Sequence, residues 1–104
     1  MACTQSDGQT VGASEFDKLL KTPNNKVLLD VRTPEEFALN HIPGANNLNI
    51  YASDFEDQIK TLDRNTAVLV YCKSGGRSAE AAKKLDKLGF KKVVDLKGGI
   101  LTWQ

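Results

Sequence analysis

Two short apolar runs constrain this chain more than any other feature. They are Lys26-Val27-Leu28-Leu29-Asp30-Val31 and Thr66-Ala67-Val68-Leu69-Val70-Tyr71, each nearly continuous and polar only near its ends. A strand with no solvated face must be covered on both sides, as strands of a parallel sheet are when helices pack above and below. Shorter strand candidates lie at Thr10-Val11, Asn47-Leu48-Asn49-Ile50 and Lys92-Val93-Val94-Asp95-Leu96. Helical signals fall between them. Ser14 reads as a cap for a helix carrying Phe16, Leu19 and Leu20 to about Lys21, and Ser53 as a cap for one carrying Phe55, Ile59 and Leu62. Thr33-Pro34-Glu35-Glu36 reads as cap, proline at the first helical position and acids in the first turn. A helix beginning near Ser78 places Ala81, Ala82, Leu85 and Leu88 on one face and is closed by Gly89. Five strands interleaved with helices predict an α/β fold with a parallel sheet, right-handed crossovers, and functional loops at the carboxyl ends of the strands.

Length and composition narrow the function classes. At 104 residues the chain predicts one domain, and 40% apolar content supplies one small core. The formal net charge of +1 argues against a basic nucleic-acid binder, and no apolar run is long enough to span a bilayer. Two cysteines, Cys3 and Cys72, are too few for a disulfide scaffold, and one histidine with a leftover cysteine does not make a tetrahedral zinc site. No metal and no cofactor are expected. Residues 1–9 read as a flexible tail and residues 10–104 as the domain. As written, the chain reads as cytoplasmic. Alternatively, the polar stretch Cys3 to Gly8 is the start of a mature lipoprotein, which would place the chain at the cell envelope.

Charge is unevenly divided. Residues 1–65 carry a net −4 and residues 66–104 a net +5. Cys72 lies in the basic part; either the field there favours anions, or most of its lysines only form the solvated face of a surface helix.

Cys72 follows the second apolar run directly and precedes Lys73-Ser74-Gly75-Gly76-Arg77-Ser78. The two glycines permit a bend in which successive N–H groups turn inward, and the helix start adds unpaired N–H groups and a positive dipole end. Such surroundings favour a thiolate, which is the reactive form and requires no separate base. The bland reading is an inert core cysteine ahead of a tight turn.

The run Cys72 to Ser78, followed by Ala81-Ala82, Leu85, Gly89-Phe90, Val93, Leu96, Gly98-Gly99 and Trp103, resembles the second half of a rhodanese-like domain. Asp30-Val31-Arg32, Glu36-Phe37 and His41-Ile42-Pro43-Gly44-Ala45 with Asn47-Leu48 resemble its first half. The resemblance implies a three-layer α/β/α domain with a five-stranded parallel sheet. It also implies a sulfurtransferase whose cysteine carries sulfur as a persulfide. The donor would be thiosulfate or a protein persulfide, and the acceptor cyanide or a thiol. Asn40 departs from the family's usual glycine before the histidine, a position where asparagine tolerates left-handed backbone.

Roles follow from the same resemblance. Cys72 is the nucleophile. The N–H groups of Lys73, Ser74, Gly75, Gly76, Arg77 and Ser78 cradle the persulfide and the departing anion. Lys73 attracts the anionic donor. Arg77 either touches substrate or turns inward to brace the loop. Asp30 and Arg32 either rim the pocket or form a local pair that shapes the loop. His41 stabilises its turn. Two other readings compete. A cysteine phosphatase needs five residues between Cys and Arg, whereas four separate Cys72 from Arg77. A partner-loaded sulfur carrier with little small-molecule turnover shares every one of these residues.

Overall fold

The computed structural model describes residues 9–103. The Cys3 reading and residues 1–8 of the expected tail lie outside the described residues, whereas Gln9, assigned to that tail, is the first residue of a strand. Five strands form one parallel sheet: β1 (Gln9–Val11), β2 (Lys26–Asp30), β3 (Asn46–Asn47), β4 (Ala67–Tyr71) and β5 (Val93–Leu96). Their order across the sheet is β1-β5-β4-β2-β3. The helices are α1 (Ala13–Lys21), α2 (Pro34–Leu39), α3 (Phe55–Lys60) and α4 (Gly76–Lys87), with a final 3-10 turn over Gly99–Thr102. None of them is long and apolar enough to cross a membrane among the described residues.

β4, the strongest apolar run in the chain, is the central strand and is buried at every position. Because side chains alternate across a strand, it feeds two cores. Val68, Val70 and Cys72 join Leu29, Val31, Ile59 and Leu85 beneath α3 and α4. Ala67, Leu69 and Tyr71 join Phe16, Leu28 and Leu96 on the α1 side. The two cores with their helices are the outer layers of the α/β/α sandwich. After β2 the chain steps outward to β3, then returns past β2 to β4. The carboxyl ends of β2 and β4 therefore flank the point where the strand order reverses, which is where open parallel sheets build sites.

Several local expectations are corrected. Ser14 and Ser53 are not the caps: α1 starts from Gly12, whose carbonyl accepts from the Phe16 N–H at 2.9 Å, and α3 starts from Asp54. In both cases the backbone sets the boundary and no side chain caps it. The third strand is shorter than its apolar pattern suggested. It pairs with β2 only at Asn46 and Asn47, although Leu48 and Ile50 still donate to the Asp30 and Val31 carbonyls. Asn40 is not left-handed. Its backbone is extended (φ −170°), and its carbonyl accepts from Arg32 at 2.6 Å, so the departure from glycine is accommodated without strain. Thr33 caps α2 as expected, in a reciprocal box with Glu36.

Candidate active site

Cys72 ends β4 and is 1% exposed. Its Sγ faces the turn that starts α4. The Gly75 N–H donates to Sγ at 3.0 Å, and Ser78 Oγ lies 3.5 Å from it. Gly75 reaches this position at φ +120°, a conformation that side chains rarely adopt. Helix α4 begins at Gly76, two residues earlier than its apolar pattern indicates, so its positive end is set against the sulfur. Burial raises the thiol pKa. The Ser78 hydroxyl and the N–H groups of Ser78, Gly75 and Ser74 outweigh that effect, and the net shift is downward, toward thiolate.

The loop is held from behind by the last turn. Ile100 N–H donates to the Cys72 carbonyl at 2.9 Å and Leu101 N–H to the Lys73 carbonyl at 3.2 Å. With those carbonyls turned back, the N–H side of the loop is left facing the sulfur. The last turn is itself anchored by Trp103, whose ring meets Phe16 edge-on at 6.0 Å.

Lys73, Ser74 and Gly76 are exposed around this loop, whereas Ser78 is buried. Arg77 turns onto α2, where its Nη1 and Nη2 donate to Glu36 Oε1 and Oε2 at 2.7 and 3.0 Å. Its guanidinium also lies 5.8 Å from the centre of the Tyr51 ring. Arg77 therefore makes the bracing contact. Asp30 and Arg32 are 0% and 3% exposed, so the rim reading does not describe them. They form a bidentate pair (2.7 Å at the shortest) that ties the end of β2 to Asn40. His41 Nδ1 sits 2.9 Å from the Phe37 carbonyl, and its ring stacks on Phe37, as expected of a turn-stabilising residue. A groove of about 600 Å³ between β2, β3 and α3 contains none of the loop residues.

Three contributors have no assigned role in the sequence reading. Glu36 enters as a first-turn acid and as part of the family resemblance, Gly99 only within that resemblance, and Asp95 only as a strand residue. Asp95 carried a usable signal, since an acid inside Val93-Val94-Asp95-Leu96 has to find a buried partner. That partner is Ser78 Oγ at 2.6 Å.

A cysteine beneath converging N–H groups stands here at a strand-to-helix turn. The family model of the rhodanese-like domain matches residues 12–104. The chain belongs to the rhodanese-like family. A rhodanese-like domain protein from Staphylococcus aureus superposes with a TM-score of 0.80 at 26% identity, over 92% of this chain and 91% of that one. The thiosulfate sulfurtransferase GlpE of Pseudomonas fluorescens is 38% identical over 75% of this chain and 70% of its own. The Mycobacterium tuberculosis protein named "Probable adenylyltransferase/sulfurtransferase MoeZ" is 33% identical over 98% of this chain. The chain spans only about a quarter (26%) of that relative's length. Sulfurtransferase is thus the enzyme class named among the relatives of this rhodanese-like domain.

The Glu36–Arg77 pair gives the domain a testable acid sensitivity. The Arg77 hydrogen bonds, opposed by burial and helped by Thr33, lower the Glu36 pKa to about 2. A carboxylate held below its ordinary value contributes stability above that value and loses it as pH falls toward about 2. Glu36→Gln should therefore lower the melting temperature by about 4 °C at pH 7, the scale of a partly exposed ion pair in a domain this small. The gap to wild type should close as pH approaches about 2. Thermal melts of both proteins across that range check this, and a gap that persists at the acid end would rule out the pair as its source.

Proposed function

We propose that this rhodanese-like domain, residues 10–104, moves sulfane sulfur through a persulfide on Cys72. The Cys72 thiolate attacks the outer sulfur of thiosulfate, and the S–S bond of the donor breaks with its electron pair leaving on sulfite. The product is a Cys72 persulfide anion. Cyanide or a thiolate then takes the outer sulfur, and the Cys72 thiolate departs. Both steps move one sulfur atom and conserve charge.

The observation that carries this reading is the convergence of the loop and α4 N–H groups on the Cys72 sulfur, with Gly75 at 3.0 Å. Donors fixed in advance around a developing anion need no reorganisation during the reaction. The four residues from Lys73 to Gly76 make a ring suited to one sulfur atom, not the wider wrap of a phosphatase loop. The similarity to a relative named thiosulfate sulfurtransferase supports thiosulfate as donor.

The direct test is intact-mass analysis after incubation with thiosulfate. A one-sulfur adduct on Cys72 that cyanide removes as thiocyanate is expected; no adduct would defeat the reading. Thiocyanate turnover measured beside transfer to a protein thiol distinguishes a small-molecule enzyme from a partner-served carrier.

Lys73 is exposed, follows Cys72 directly in the chain, and is proposed to attract the dianion. Lys73→Ala should raise the apparent KM for thiosulfate roughly 3-fold at low salt with kcat little changed, and the defect should shrink as ionic strength rises. A KM that does not move at low ionic strength would remove Lys73 from that role.

A further inference from the structure

Asp95 is 4% exposed on β5. Its Oδ1 lies 2.6 Å from Ser78 Oγ, and that oxygen lies 3.2 Å from the Gly75 carbonyl and 3.5 Å from Cys72 Sγ. Ser78, at 0% exposure, has one hydroxyl proton and three neighbours able to take it. While Asp95 is ionised, that proton belongs to the carboxylate, and Ser78 turns only lone pairs toward Sγ. Ser78 then accepts from a thiol, and its hydroxyl lowers the thiol pKa only once that proton is released from Asp95. When Asp95 is protonated the direction reverses: the carboxylic O–H donates to Ser78 Oγ, and the Ser78 O–H is free to donate to Sγ.

Two buried anions, one on Sγ and one on Asp95, would sit two hydrogen bonds apart and repel. The surroundings offer little relief. Thr10 on β1 and Val70 on β4 flank Asp95 in register, and both are uncharged. Ser78 is the group facing it from α4. Arg77, whose charge reaches Cys72, is already paired with Glu36. Burial pushes the Asp95 carboxyl upward, against the pull of the Ser78 hydrogen bond.

We propose that Asp95, acting through Ser78, is the proton partner of Cys72, so that the buried pair shares one proton and carries one negative charge. The Cys72 S–H bond breaks and its proton passes to Ser78 Oγ. The Ser78 O–H bond breaks and that proton passes to Asp95 Oδ1. The products are a thiolate, a serine hydroxyl that donates to it, and a neutral carboxylic acid. Nothing is oxidised or reduced. Asp95 touches no reacting atom and is a positioning residue. The inference rests on Cys72 being the reacting thiol.

Carbon-13 NMR of the Asp95 carboxyl in the reduced full chain tests this without disturbing Asp95. The Asp95 midpoint should fall by about one pH unit or more in Cys72→Ser, because the interacting thiolate is gone. Identical midpoints in the two proteins would overturn the proposal. A second measurement follows iodoacetamide alkylation of the Cys72 peptide against pH. Wild type should show two ionisation steps and Asp95→Asn one, and adding Asp95→Asn to Ser78→Ala should change nothing further. An Asp95→Asn profile superimposable on wild type, or an effect undiminished in Ser78→Ala, would also overturn it. The functional reading fails separately: if Cys72→Ser still transfers sulfur, that reading is wrong. If Cys72→Ser is inactive while the Asp95 titration ignores it, only the present inference is lost.

Discussion

Sulfur transfer from thiosulfate to cyanide is expected to fall by about 10³-fold or more in Cys72→Ser, because the covalent intermediate has nowhere to form. A serine hydroxyl at this position would remain protonated, because an alcohol is a far weaker acid than a thiol. The fold should survive. Oxygen replaces sulfur with little change in volume, and the hydroxyl can still accept from the Gly75 N–H and pair with Ser78. Initial rates of thiocyanate formation, with circular dichroism as the control for folding, decide the point. Substantial turnover in a folded Cys72→Ser protein would end the persulfide assignment. Loss of turnover together with loss of the fold would instead make Cys72 a core residue and favour the inert reading.

Gly99→Ala is expected to lower stability by about 3 kcal/mol and to reduce sulfur transfer in the folded fraction. Gly99 has φ +65°, and a Cβ there would be driven into the backbone carbonyls of Lys73 and Cys72. These atoms belong to the chain itself and have no rotamer with which to step aside. The same carbonyls accept from Ile100 and Leu101, so any shift that admits the methyl group pulls on the bonds holding the loop. Gly12 is the control. Nothing lies within 4 Å of a Cβ built there and its φ is negative, so Gly12→Ala should change stability little. Urea unfolding of the two variants measures the difference. Equal stabilities would show that the loop yields without cost, and with that the rigid-cradle argument for Cys72 would weaken.

The sheet was legible because strand burial is written into consecutive residues. Lys26 to Val31 and Thr66 to Tyr71 have too few polar positions to face water, and they became adjacent strands at the centre of the fold. The position of Cys72 was legible for the same reason: it is the first residue after the most buried strand, before two glycines. The capping of α2 by Thr33 was equally local. Boundaries that depend on backbone geometry alone, such as Gly12 and Asp54 in place of Ser14 and Ser53, were not readable from side-chain chemistry.

What surrounds the sulfur was decided by tertiary structure. Glu36 and Arg77 stand 41 positions apart and meet because α2 follows β2 while α4 follows the neighbouring strand β4. Before that adjacency is known, Arg77 has equal reason to face substrate or to brace the loop. Ser78 and Asp95 are 17 positions apart and meet because β5 lies beside β4 under α4, whose first turn holds Ser78. Asp30 and Arg32 are near neighbours in the chain, yet their burial is set by the Asn40 carbonyl and the Tyr71 ring, which other elements supply. The sequence by itself determined the layers, the strands and the place of Cys72, because a residue's pattern of burial records its own position. Only the packed structure decided which charges pair, which acid faces Ser78 and which glycine stands behind the loop. Those contacts join residues far apart in the chain, and no periodicity along it encodes them.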